Sequence, residues 1–184
     1  MGEVKGSAIT ARIRFIRERS SEDTLRSIRA QLAPEHQALL ARGVQPHEWV
    51  PFELFVALSV EIDRVLGTGD LALCRELGAY AARVNLPTLY RIFSRIGSLS
   101  FVLEKAARLW SVHYGSGRME VETGDRLARL RIVGFDTPHR AHCLSVLGWA
   151  ESSAQQSGVT VTRAEESRCR TRGDEICELA LEWK

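Results

Sequence analysis

The sequence predicts an α+β fold, with a helical N-terminal two-thirds packed on a small antiparallel sheet (β-β-α-β-β) at the C-terminal end. Three observations predict it. From Ile9 to about Tyr114 the apolar residues recur at helical spacing. From Arg118 the apolar period shortens to two, with Leu and Ile alternating against Arg over Arg126 to Val133, which is strand spacing. Between two such strand pairs, Pro138 to Gln156 returns to helical spacing. Helices laid on one face of an antiparallel sheet bury both sets of apolar residues.

Taken in order, Ile9, Ile13 and Ile16 share a face of a first helix to Arg19, with Arg12, Arg17 and Arg19 expected largely opposite. Ser20 or Ser21 caps a second helix through Leu32, whose buried stripe is Leu25, Ile28 and Leu32. Pro34 opens a short third helix ending at Gly43, and the two prolines of Gln45 to Pro51 impose extended chain. Phe52 to Leu66 is amphipathic, and Gly67-Thr68-Gly69 breaks it. Asp70 to Val84 is a further helix, Pro87 starts a turn or two through Ile96, and Ser98 or Ser100 caps a helix to about Tyr114. Strands follow at Arg118 to Glu122 and Arg126 to Val133, with Gly124-Asp125 as the hairpin turn. After the helix, stopped by Gly158, come strands Val159 to Arg163 and Ile176 to Trp183. The whole chain, 1–184, reads as one domain, and 184 residues suffice for a core without disulfides.

Composition narrows the functional classes. Net charge is +2, from 25 Lys+Arg against 23 Asp+Glu, so no nucleic-acid partner is expected. Nearly all the positive charge is Arg, which suits salt-bridged faces but also follows from coding bias alone. No apolar run approaches the roughly 20 residues of a membrane span, and Met1 to Thr10 lacks the apolar core of an export signal. A cytoplasmic protein with reduced thiols, and no membrane insertion, is expected.

Cys74 reads as a core residue. Cys169 and Cys177 flank the turn Arg-Thr-Arg-Gly-Asp-Glu, Cys143 lies on the preceding helix, and Glu166 stands three residues before Cys169. Three thiolates and a carboxylate are a tetrahedral set of the kind Zn²⁺ accepts. Such a set has no open position and would be structural. The spacing alone leaves the alternative open that these are core cysteines. Arg168, Arg170 and Arg172 either offset the site's negative charge or are solvated turn residues.

The segments His142-Cys143 to Leu147-Gly148-Trp149, Glu166 to Cys169, and Arg172-Gly173-Asp174-Glu175-Ile176-Cys177 to Trp183 resemble the C-terminal motif of the 4-vinyl reductase domain. That domain belongs to the superfamily that also contains haem-NO-binding domains and TRAPP transport subunits. From Val4-Lys5-Gly6-Ser7 through Trp49-Val50-Pro51 onward, the chain looks like an uncharacterised myxobacterial family related to it. The resemblance implies helices over an antiparallel sheet, dimer formation and an apolar ligand cavity. In related aromatic-sensing regulators three cysteines and a glutamate hold zinc, and Cys143, Glu166, Cys169 and Cys177 match that spacing. The residues that grip phenols there have no counterpart here. Haem is not expected: His113, His139 and His142 are present without a Cys-x-x-Cys-His motif.

Phe101, Trp110, Tyr114 and Trp149 are the candidate pocket residues, set against the plainer reading that they fill the core. No phosphate loop, nucleophile with its base, or carboxylate pair is visible: Gly67-Thr68-Gly69-Asp70 and Gly115-Ser116-Gly117 are short turns, and Glu61 and Asp63 do not share a helical face. The expected function is therefore a non-catalytic sensory domain for an apolar small molecule, a homodimer with a structural zinc, signalling through a downstream protein. The alternative is a TRAPP-like interaction module without ligand.

Overall fold

A computed structural model describes residues 2–85 and 99–184. The N-terminal half is built by β1 (Glu3–Lys5), α1 (Gly6–Arg19), α2 (Glu22–Ala30), α3 (Pro34–Arg42), β2 (Trp49–Pro51), α4 (Phe52–Leu66) and α5 (Leu73–Asn85). The C-terminal half follows as α6 (Leu99–Arg108), α7 (Trp110–His113), β3 (Arg118–Gly124), β4 (Leu127–Val133), α8 (Arg140–Gln156), β5 (Val161–Arg168) and β6 (Cys177–Trp183). The fold is α+β, helical first and with its larger sheet at the C-terminal end. The turns expected from Pro87 to Ile96, and the Ser98 cap, lie outside the described residues.

Local chemistry sets the element ends. The Ser21 hydroxyl accepts the Thr24 N–H at 3.2 Å and starts α2. Pro34 occupies the first turn of α3, where its missing N–H costs nothing. Buried Asp63, near the end of α4, accepts the N–H groups of Leu71 and Leu73 at 2.8 and 2.9 Å. That carboxylate ties α4 to the start of α5. His139 caps α8, its Nδ1 accepting the Ala141 N–H at 3.1 Å.

Four strands form an antiparallel sheet in the order β3-β4-β6-β5. Alternate residues face inward: Ala128, Leu130 and Ile132 lie opposite Leu181, Leu179 and Cys177, and all six are buried. Their neighbours point the other way, where Arg131 pairs with Glu178 at 2.7 Å and Glu122 at 2.8 Å. α8 lies against β5 and β6 with its own buried face, which includes Cys143, Val146, Leu147 and Ala150.

β5 runs from Val161 to Arg168 where the sequence reading places a strand from Val159 to Arg163, and three further features depart from that reading. β1 and β2 form a small antiparallel pair, Glu3 opposite Pro51, where only extended chain was predicted for Gln45 to Pro51. The single helix expected up to Tyr114 breaks at Leu109 into α6 and α7, with Ser100 inside α6 rather than before it. Arg12 is on the buried face of α1, 1% exposed, not opposite it. Positions 9, 12, 13 and 16 form one stripe at i, i+3, i+4, i+7, and Arg12 completes it.

Helices α5 and α8 cross at unusually short range. A Cβ on Gly78 of α5 would lie 1.8 Å from the Ser145 carbonyl oxygen, and one on Gly148 of α8 would lie 1.8 Å from that of Arg75. Only glycine at both positions lets α5 and α8 touch backbone to backbone. Arg75 and Glu151 pair across the same crossing at 2.7 Å.

Candidate functional site

Two buried polar centres flank α8. The first is a partly open cavity of about 160 Å³ where α1, α5, α8 and the segment Trp110–Tyr114 meet. Trp110, Tyr114 and Trp149 line it, as do Phe55, Gly78 and Val146. Phe101 is not among its lining residues; the Lys105 ammonium stands over its ring at 5.2 Å. Three of the four aromatic residues singled out from sequence therefore meet at one cavity.

Arg12 also lines this cavity, and it defines the chemistry. Its Nε–H donates to the Ser59 hydroxyl at 2.7 Å, Nη1 to the Ala8 carbonyl at 3.0 Å and Nη2 to the Ser145 hydroxyl at 3.0 Å. The guanidinium carbon stands over the Phe55 ring, 3.8 Å from its centroid. Burial lowers its pKa to about 10, so it stays charged at neutral pH. The groups around it are neutral there. Burial pushes the Tyr114 hydroxyl up to about 12 and the Cys74 thiol up to about 11, and holds the His142 imidazole down at about 3. His142 packs among Phe52, Phe55, Trp110, Tyr114 and Phe135, and its Nε2 is buried without a hydrogen-bond partner.

The second centre is the thiol cluster. The Sγ atoms of Cys143, Cys169 and Cys177 lie within 4.8 Å of one another, all three residues buried. Cys143 comes from α8, Cys177 from the first inward position of β6, and Cys169 from the end of β5. The intervening turn is held by the Asp174 carboxylate, which accepts the Cys169 N–H at 2.7 Å. The Cys177 sulfur accepts the Arg170 N–H at 3.4 Å, and hydrogen bonding, from Cys143 above all, lowers its pKa to about 6. Glu166 does not join the thiols at that distance. Its side chain, 4% exposed, turns Oε2 toward Arg140 and Arg172 at 3.2 and 3.4 Å, because both guanidinium groups border it. Its Oε1 is buried and unpartnered. Arg172 thus pairs with the carboxylate, and Arg170 donates to the Phe135 carbonyl at 2.6 Å.

No protein-family model and no characterised protein matches the sequence. Solved structures do match the fold. An H-NOX protein from S. oneidensis in the Fe(II) ligation state superimposes with a TM-score of 0.75 at 11% identity, over 98% of this chain and 96% of that one. An unliganded Fe(II) H-NOX protein mutant from K. algicida gives 0.71 at 10% identity, over 98% and 96%. An oxygen-binding H-NOX domain related to soluble guanylate cyclases gives 0.62 at 15%, over 98% and 95%. At these identities the likeness establishes the fold. The matched structures are H-NOX proteins, and they show neither a 4-vinyl reductase domain nor a myxobacterial family.

This corrects the expectation that haem has no place here: the proteins that share the architecture are iron-ligating, NO- and oxygen-binding ones. The described residues offer two imidazoles near the cavity, His113 in its lining and His142 behind it with Nε2 free. The cavity itself is close to the roughly 150 Å³ that holds a benzene. As the side chains stand, this volume fits a small ligand and is too small for a macrocycle.

Sequence reasoning missed Arg12, Ser59 and Ser145. The signal for Arg12 was present in its position between Ile9, Ile13 and Ile16; that for the two serines was not, since their role depends on Arg12.

Proposed function

We propose that this chain, over 1–184, is a non-catalytic sensory domain whose ligand occupies the cavity between α1, α5, α8 and Trp110–Tyr114. The observation that carries this reading is that cavity, partly open, largely apolar and bordered by the charged side chains of Arg12 and Lys5, in a fold shared with solved H-NOX proteins. Pockets of this kind bind by apolar enclosure, with a few polar groups fixing orientation. The cavity favours sensing over the ligand-free interaction module. Trp110 and Tyr114 reach it from the short segment between α6 and β3, so occupancy is coupled to how α7 sits on β1, where Val4 bridges to Tyr114. A partner protein or second copy reading that segment would receive the signal.

Native mass spectrometry and the absorption spectrum of freshly purified protein test this together. A retained organic mass, or a Soret band after haemin addition, is the expected result. Protein that carries neither, and whose melting temperature no apolar probe such as toluene raises, overturns it.

A second proposal concerns the thiols. Cys143, Cys169 and Cys177 are read as three ligands of a closed structural metal site, with Glu166 Oε1 as the fourth donor. In a tetrahedral thiolate site with Zn–S of about 2.3 Å the sulfurs stand about 3.8 Å apart, within the spacing these three already have. An orphaned carboxylate oxygen beside them supplies the remaining donor.

A further inference from the structure

Arg12 presents an unsolved charge balance. Its guanidinium is 1% exposed and makes no ion pair with any described residue; its three hydrogen bonds go to two hydroxyls and a carbonyl. No Asp or Glu lines the cavity it borders. Residues 86–98 contain neither Asp nor Glu, so the rest of the chain supplies no carboxylate from there either. The buried Asp63 is committed to the N–H groups of Leu71 and Leu73. Isolated buried charge costs several kcal/mol unless a counter-ion accompanies it. Arg12 has five N–H groups, and three are engaged, which leaves a second N–H on each terminal nitrogen. Such a pair matches the two oxygens of a carboxylate.

Lys5 also lines the cavity, but its Nζ donates to the His47 carbonyl and stands over the Trp49 ring; the rest of the described lining is apolar or neutral. Phe55 backs the guanidinium, and Val146, Trp110 and Trp149 supply the walls. The Tyr114 hydroxyl keeps its proton and is available to donate. The volume, about 160 Å³, admits one ring or a short branched chain.

We propose that the ligand of this cavity is a small organic acid, a benzene-sized apolar body bearing one carboxylate, with the carboxylate paired to Arg12. This deepens the sensory reading and rests on it. Arg12 then acts as the polarity filter: a neutral ligand of the same shape leaves the guanidinium buried and unpaired. The same residue links ligand to scaffold, because its other bonds hold α4 through Ser59 and α8 through Ser145.

The test compares benzoate with benzamide, which share shape and ring, on the full chain by thermal shift and calorimetry. The expected result is binding of benzoate about tenfold or more tighter than benzamide, the discrimination a charge-assisted hydrogen-bonded pair supplies. Arg12→Gln is expected to abolish that preference while still binding benzamide, and Arg12→Lys to keep part of it. If Arg12→Gln does not fold, the wild-type comparison and Arg12→Lys still decide. Benzamide binding as well as benzoate to wild type overturns the proposal and leaves the cavity reading intact. Binding of benzoate, benzamide and toluene all absent overturns both. A porphyrin side-chain carboxylate is the same chemistry from a second source. A Soret band after haemin addition that benzoate competes away assigns the pair to it; benzoate binding without such a band assigns a free acid.

Discussion

Helix α8 serves two buried polar centres two residues apart in sequence, and they are unbalanced in opposite senses. Through Ser145 it holds Arg12, a cation without an anion; through Cys143 it joins three thiols beside Glu166, whose Oε2 pairs with Arg140 and Arg172 while its Oε1 is an acceptor without a donor. The first centre borders a partly open cavity, from which the proposed carboxylate can come and go. The second is closed by the β5–β6 turn, and Cys143, Cys169 and Cys177 are each at most 2% exposed, so whatever fills it stays. Exchange suits a sensor's ligand and permanence suits a structural metal. One helix carries both because its position is fixed with little tolerance by the crossing with α5.

Substituting that crossing breaks the comparison at its root and is the largest effect expected. In Gly148→Val the new Cβ falls on the Arg75 carbonyl, so α5 and α8 must separate, carrying Ser145 from Arg12 and Cys143 from its partners. A loss of about 4 kcal/mol or more is expected, the upper end for a single substitution, read by urea unfolding or as insoluble protein. Gly78→Ala meets the Ser145 carbonyl in the same way. A normal unfolding midpoint for either would mean that the helices are not held this close.

Next in size is the closed centre. Purified without chelator, the protein is expected to hold about one Zn²⁺ per chain, and Cys143→Ser or Cys177→Ser to lose it with a fall in melting temperature of about 5–10 °C. Metal stoichiometry and thermal unfolding check this together. Metal-free wild type with both variants melting normally would make the three cysteines simple core residues and leave only the cavity unbalanced.

The open centre predicts the opposite sign. Arg12→Met removes a buried charge and keeps a long side chain against Phe55. Replacing unsatisfied buried charge by apolar volume is commonly neutral to stabilising, so the ligand-free variant is expected to gain about 1–2 kcal/mol in urea unfolding. A loss of similar size would mean that the bonds to Ser59, Ala8 and Ser145 outweigh the unpaired charge, and Arg12 would then be a structural strut.

The two centres also differ in how far the sequence exposes them. Cysteines are few, and Cys169 and Cys177 flank a readable turn, so the cluster can be assembled from strand and helix assignments alone. Its fourth member cannot: Glu166 pairs with Arg140 across 26 residues, and nothing local says which way its carboxylate turns. Arginines are common, and Arg12 among Ile9, Ile13 and Ile16 looks like the edge of a polar face until Ser59 and Ser145 arrive from 47 and 133 residues away. Most helices and strands with a clear period were legible, although the helix expected to Tyr114 breaks at Leu109 and β5 runs on to Arg168. Phe52–Leu66 matches its predicted span to the residue, whereas the three-residue strands β1 and β2 have too few residues to show a period and exist through pairing across the N-terminal helices. Gly78 and Gly148 carry no local signal either, because a helix interior disfavours glycine and only the partner helix explains them.

The smallest effect sharpens the role of the α4–α5 connection, which sets where α5 begins. Leu71 has φ of 72°, a left-handed conformation that a leucine adopts only under constraint. The constraint is Asp63, whose Oδ2 takes the Leu71 N–H at 2.8 Å while Oδ1 takes that of Leu73. Glycine meets this backbone without the Cβ clash, but gives the unfolded chain more freedom and forfeits the partly buried side chain. Left-handed leucine costs about 1–2 kcal/mol, and the two opposing effects together return somewhat less. Leu71→Gly is therefore expected to stabilise by about 0.5 kcal/mol, a rise of 1–2 °C in melting temperature for a chain of this length. Asn, which tolerates the same conformation, should fall between the two. In an Asp63→Asn background the gain should shrink, because the turn is then no longer held in the left-handed form. A gain that persists undiminished there would show that the strain at Leu71 is independent of the carboxylate that sets α5 in place.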